Sequence, residues 1–167
     1  MSLPAGRQEH RYNVRFSDMI NVAMTKKETS KMSGYSGTPL AKKLGIKEGF
    51  KIRIVNQPAY YFGLFPEMPE NISILTDKKI KKNLIHYFTK HAKDLYKDIS
   101  SLRNEIEQDG IIWISWPKKT SKVITDITED IIRDLALSNG LVDIKVCAID
   151  EIWSGLKFVI PVKDRKA

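Results

Sequence analysis

A chain of 167 residues, 42% hydrophobic and 29% charged, has the length and composition of one globular domain able to bury its own core. No apolar run approaches the roughly 20 residues of a membrane helix, so a membrane partner is not expected. The formal charge of +8 invites a polyanion, but 21 of the 28 basic side chains are Lys and only 7 are Arg. Arg makes the bidentate contacts to phosphates and bases, whereas scattered Lys commonly stays solvated. The densest cluster, Lys78, Lys79, Lys81 and Lys82, is therefore expected to be a solvated face, with phosphate or nucleic-acid contact as the alternative. The lone cysteine, Cys147, lies in an apolar strand. One thiol makes neither an internal disulfide nor a thiolate metal cage, which suits a buried side chain in a reducing cytoplasm.

Residues 1–33 differ from the rest. They hold Arg7, Arg11 and Arg15, little periodicity, and methionines at Met19, Met24 and Met32. No apolar stretch of about 7–15 residues marks a signal peptide, and Glu9, Asp18 and Glu28 argue against an Arg-rich presequence. They read as a disordered tail, or as an over-long start with the true one at Met24 or Met32, leaving 34–163 as a single domain.

From there the elements follow in order. Thr38 is expected to cap a short helix with Pro39 at its first position; Leu40, Ala41 and Leu44 form its apolar stripe and Gly45 ends it. KIRIVN is a strand rich in β-branched residues. Pro58 opens a short helix or loop over 57–65, NISILT (71–76) is a second short strand, and 84–88 a third. Leu95, Ile99, Leu102 and Ile106 recur at helical steps and predict one buried face, with Asp109-Gly110 closing the helix. IIWISW follows as a strand covered on both faces. The last long helix is expected to start near Asp126, with Glu129 in capping-box spacing, Ile127, Ile131, Ile132 and Leu135 as its core face, and Asn139-Gly140 as its stop. VDIKVCAI and GLKFVIPV complete the chain as strands.

Alternating strands and helices with short links predict an α/β fold, a Rossmann-like three-layer sandwich around a mostly parallel sheet. The connection at 150–155 is too short for a parallel crossover, which takes a dozen or more residues, so the closing strand must run antiparallel. That closing pattern resembles the topology of Rossmann-like methyltransferases. LGIKEGFKIRIVN (44–56) is likewise similar to the start of a methyltransferase core. The resemblance implies a glycine-rich turn after the first strand, where missing Cβ atoms let S-adenosylmethionine approach the backbone. Here Asn56, Gln57, Pro58, Ala59, Tyr60, Tyr61 and Phe62 precede the first glycine, Gly63. The cofactor is not expected to bind in the usual way. Asp77 falls about where the ribose-binding acid would, but reads as a turn aspartate beside lysines. A wider resemblance covers 34–158: GYSGTPLAKKLGI, SWPKKTSKVITDITEDIIR and LVDIKVCAIDEIWSGLKF are similar to an uncharacterised bacterial family, the domain-of-unknown-function family 3052. It implies a small Rossmann-like domain and carries over no catalytic residue.

In open α/β sheets ligands bind outside the carboxyl ends of the strands. The loops there are 56–60, 89–91, 116–121 and 150–154, which nominates Asn56, Thr89, Trp116, Lys118, Lys119, Ser121, Asp150, Glu151 and Trp153. Trp116 offers a stacking face stiffened by Pro117, followed by two ammonium groups and the hydroxyls of Thr120 and Ser121. Asp150 and Glu151 sit opposite, either as a general base raised by burial or as a structural ion pair with Lys118 or Lys119, the pairing being favoured. Trp153 is a packing lid. His10, His86 and His91 lack metal-ligand spacing. His91 is the acid/base candidate among them. Ser154 lacks a nucleophile elbow, and Ser36-Gly37-Thr38-Pro39 is explained by capping alone. The reading is a non-catalytic or degenerate-site domain that binds a small anionic or nucleotide-like ligand, or a partner. The alternatives are a divergent methyltransferase or other group-transfer enzyme with Asp150 or Glu151 as base, and a nucleic-acid binder using the Lys-rich surface and basic tail.

Overall fold

β-branched and helical segments alternate along residues 37–166, the part of the chain described in the computed structural model. The expectations for residues 1–33 lie outside the described residues. Helices are α1 (Leu40–Leu44), α2 (Ala92–Glu105) and α3 (Glu129–Ser138); strands are β1 (Lys51–Val55), β2 (Ser73–Ile74), β3 (Lys82–Phe88), β4 (Ile106–Pro117), β5 (Val142–Ala148) and β6 (Trp153–Val159). Short 3-10 turns occupy Tyr61–Leu64, Lys119–Ser121 and Val162–Asp164.

The six strands form one sheet in the order β2-β1-β3-β4-β6-β5. The pairs β1–β2, β1–β3 and β3–β4 are parallel, while β6 runs antiparallel between β4 and β5. This is the expected α/β sheet with an antiparallel closing strand. The chain passes from β1 to β2 on one side and returns to β3 on the other, so the topological switch point lies between β1 and β3. One face buries Ile85, Tyr87, Ile112, Ile114, Leu156 and Phe158 with Leu95, Ile99 and Leu102 of α2 and Ile132 and Ala136 of α3. The other buries Leu84, Phe88, Trp113 and Trp153 under α1 and the 61–64 turn. Strand alternation delivers successive residues of β3 and β4 to opposite layers, which is why both read as continuous apolar runs.

Three boundaries differ from expectation. Helix α2 ends at Glu105, and Ile106 opens β4. Ile106 is buried in the same cluster that a further helical turn would have reached, so its spacing alone does not separate the two states. The β3–β4 register then slips from Lys82↔Ile106 to Leu84↔Ile111. A Cβ at Gly110 would stand 2.9 Å from both the Glu107 carbonyl oxygen and Ile106 Cβ, so that irregular stretch needs glycine. Helix α3 begins at Glu129, capped by Thr128, whose Oγ1 accepts from the Ile131 N–H at 3.3 Å. Asp126 instead caps α2, its Oδ1 accepting from the Ala92 N–H at 2.8 Å. Thr38 does not cap α1: Pro39 is its N-cap, with no side-chain bond. Gly45 closes α1 in the left-handed conformation, φ +78°, as expected.

Candidate functional site

The carboxyl ends of the parallel strands are tied together by their own loops. Asn56, with φ +58°, leaves β1 in the left-handed region that Asn tolerates, and its Nδ2 donates to the Phe88 carbonyl at 3.4 Å across the switch point. The Thr89 N–H donates to the Ser115 carbonyl at 3.0 Å, joining the ends of β3 and β4. Its buried hydroxyl donates to the His91 carbonyl at 2.9 Å and accepts from the His91 N–H at 3.1 Å. Beyond β4, the Lys118 N–H donates to the Ile152 carbonyl at 2.7 Å and its Nζ to the Asp150 carbonyl at 2.6 Å. Asp150 Oδ1 accepts from the N–H groups of Ile152 at 2.8 Å and Trp153 at 2.7 Å, shaping the turn between β5 and β6. The Tyr60 hydroxyl reaches over to the Asp150 carboxylate and the Trp153 side chain. Burial first, and the Asp150 carboxylate second, hold its pKa above the ordinary phenol value. The structure thus brings all four nominated segments to one rim.

The side chains there are used differently from the sequence expectation. Trp116 is buried on the α2 and α3 face, in the cluster that includes Ile127, and presents no stacking surface. Its place in β4, opposite Ser154, turns it inward, because neighbouring strand residues alternate between the layers. Trp153 is the expected packing residue, buried with its ring edge-on to Phe88 at 5.0 Å. The expected carboxylate pairing is replaced by a bond to backbone: the Lys118 ammonium meets the carbonyl of Asp150, while the carboxylate of that residue serves its own turn. Ser121 donates to the Lys118 carbonyl at 2.6 Å and accepts from the Val123 N–H at 3.2 Å, a local turn role. Lys119 and Glu151 are exposed, as is Tyr60 in part. His91 is exposed at the α2 N-cap and makes no side-chain capping bond.

Two buried polar groups were not anticipated. His86, wholly inaccessible, bridges Tyr61 (hydroxyl to Nδ1, 3.0 Å) and Ser115 (Nε2 to Oγ, 2.7 Å). Burial pushes its pKa down to about 3, so the ring is neutral. The ring stacks on Phe88 at 4.3 Å, and Tyr61 meets Phe62, Phe65 and Phe88 edge-on. The one sequence signal was a histidine inside the apolar run of β3. The second group is Arg53, Glu105 and Lys82. Arg53 Nη1 lies 2.6 Å and Lys82 Nζ 3.4 Å from the two oxygens of buried Glu105. Lys82 also donates to the carbonyls of Asp77 and Ile80, so it belongs to the interior and not to a solvated lysine face. Asp77 is the expected turn aspartate, accepting from the Lys79 N–H at 2.9 Å.

Among the described residues no group of three or more His, Cys, Asp or Glu could hold a metal, and no helix is long and apolar enough to cross a membrane. The switch point does not fit S-adenosylmethionine in the manner the fold implies. Asn56 stands where a glycine turn would admit the ligand, its side chain spans to β3, and the following tyrosines fold back over the sheet.

No protein-family model and no curated protein matches the chain in sequence. Among solved structures it is similar to a SAM-dependent methyltransferase from Aquifex aeolicus, at 14% identity and a TM-score of 0.51 over 72% of this chain and 87% of that one. It is also similar to an S-adenosylmethionine-dependent methyltransferase from Clostridium acetobutylicum (7% identity, TM-score 0.47, 72% and 87% covered). A third is the fibrillarin pre-rRNA processing protein of Methanococcus jannaschii (11%, 0.48, 75% and 70%). The likeness to the Aquifex protein is one of fold, and the fold of this chain is the methyltransferase-like Rossmann fold.

Proposed function

We propose that the chain is a non-catalytic, degenerate-site domain on a methyltransferase-like fold, binding a small anionic or nucleotide-like ligand or a partner at the carboxyl rim. One observation carries the reading: the loop after β1 takes the place of a cofactor-approach surface. Asn56 bonds across to Phe88, Tyr60 reaches Asp150, and Tyr61 is sunk into the layer beneath. Lys119, Glu151 and the edge of Tyr60 remain for contact with a ligand, held on a scaffold that Lys118, Asp150 and Trp153 stiffen. Membership of the uncharacterised family 3052 is part of this reading and rests on the three motifs spanning 34–158.

Calorimetric titration with S-adenosylmethionine tests it. No binding is expected up to about 1 mM, the weak end of specific affinities, and no methyl transfer. Micromolar binding together with transfer would overturn the reading in favour of a divergent methyltransferase. That second reading is favoured by the fold likeness and would place Glu151, exposed beside Asp150, as the freer base. The nucleic-acid reading draws less support, because Lys82 is buried and Lys81 donates to the Asn104 carbonyl.

A further inference from the structure

Lys145 and Lys157 stand directly opposite each other in the antiparallel β5–β6 pair and therefore project from the same face. Like charges in that relation repel and destabilise a sheet. A lysine on β5 alone has an ordinary explanation, since β5 is the free edge of the sheet and edge lysines block strand addition. Lys157 does not share it. It sits on β6, between β4 and β5, and is half-buried opposite Trp113 on the other side.

Helix α1 brings more positive charge to the same place. Its end is pinned to the sheet by the Trp113 Nε1–H, which donates to the Leu44 carbonyl at 2.9 Å. The Lys157 ammonium lies 3.7 Å from where a Cβ at Gly45 would stand, so it meets the chain just after that helix. Lys43 and Lys47 flank that point in sequence. None of the ion pairs among the described residues involves Lys43, Lys47, Lys145 or Lys157. Burial first, then Lys145 and Lys47, lower the Lys157 pKa. Burial raises that of the neighbouring Cys147 thiol, against the pull of Lys145 and Lys43. Four ammonium groups from three chain segments thus share one field, and none of the ion pairs among the described residues neutralises it.

We propose that Lys43, Lys47, Lys145 and Lys157 form a binding site for a compact oxyanion of the phosphate class, free or carried by a small phosphorylated molecule. The anion would bridge the cross-strand pair and turn a repulsion into two charge-assisted contacts. This site is separate from the carboxyl rim and does not depend on the reading given to that rim.

The full chain is titrated with inorganic pyrophosphate and with a nucleoside diphosphate, each against sodium chloride of equal ionic strength. Pyrophosphate is expected to bind with Kd below about 1 mM and to raise the melting temperature, as any ligand selective for the folded state must. If the nucleoside diphosphate binds more tightly, the carrier is an organic phosphate; if equally, the free anion suffices. Alkylation of Cys147, the single cysteine, is expected to slow when pyrophosphate is bound. The variant Lys145→Gln/Lys157→Gln is expected to lose about tenfold or more in affinity, the scale of lost charge-assisted contacts. Lys78→Gln/Lys79→Gln, at exposed lysines away from both sites, is expected to bind as the parent does. In anion-free buffer the Lys145→Gln/Lys157→Gln protein is expected to melt no lower than the parent, since it loses only a repulsion. A lower melting temperature would give Lys157 a structural role and overturn the site. So would a response to pyrophosphate no greater than to chloride, loss of binding in the Lys78→Gln/Lys79→Gln variant instead, or a single-stranded oligonucleotide that displaces pyrophosphate with far higher affinity.

Discussion

Mild acid should destabilise this fold through His86. The ring has no accessible surface, and burial lowers its pKa from 6.5 to about 3. Above pH 6.5 the ring is neutral in both folded and unfolded chains and contributes no pH dependence. Below pH 6.5 the unfolded chain takes up a proton that the folded chain refuses, so stability falls by about 1.36 kcal/mol per pH unit until the folded ring itself titrates near pH 3. Between pH 7.5 and 5.0 the loss is about 2 kcal/mol, and near pH 3 about 4 kcal/mol from this residue alone. Urea unfolding at several pH values, followed by tryptophan emission, measures it at constant m. Trp113, Trp116 and Trp153 are all buried, so their emission reports loss of the whole core. His86→Gln should be less stable at neutral pH, because Tyr61 and Ser115 lose their shared partner, yet should lack the decline between pH 6.5 and 5.0. His91→Gln, at an exposed position, should decline as the parent does. A parallel decline in the parent and His86→Gln proteins, or a ring titrating near pH 6.5 by NMR, would refute the reasoning.

Other substitutions test the remaining buried polar groups. Asp150→Ala should cost about 2–3 kcal/mol by urea unfolding, since two turn N–H groups lose their acceptor. Asp150→Asn keeps an oxygen for both and should cost clearly less. Glu105→Ala leaves Lys82, with 0% of its side chain exposed, facing Arg53 without a carboxylate, and should cost about 3–5 kcal/mol, with a smaller loss for Glu105→Gln. Asp126→Ala should cost about 1 kcal/mol, seen as faster hydrogen exchange in the first turn of α2 and not of α3. Faster exchange confined to α3 would restore Asp126 as the cap of its own helix.

On the proposed reading, the rim lets a methyltransferase-like sheet do without methyltransferase chemistry. Topology brings the loops of an open α/β sheet together at its carboxyl edge whatever their residues, whereas a nucleotide cofactor needs backbone it can approach closely. Here the approaching loop is bulky, and its side chains bond to neighbouring strands.

Local pattern carried the architecture. The apolar runs of β3 and β4, the four- and three-residue steps of α2, the Gly45 stop and the short link at 150–155 each follow from period, sterics or chain reach, so the mostly parallel sheet and its antiparallel closing strand were legible. The meeting of four loops was legible for the same reason, since it follows from the sheet. The direction and partner of each polar side chain were not. Asp126 reads as the cap of its own helix, and only the packing of Thr125 and Asp126 against the entry to α2 reassigned it. Trp116 reads as a surface aromatic beside Pro117 and Lys118, but one step of strand alternation turns it into the core. Lys82 carries no local sign of burial, and His86 only its place inside the apolar run of β3. Their environments come from residues 5 to 29 positions away in the chain, such as Asp77 and Ser115, and contacts of that kind exist only once the layers have closed.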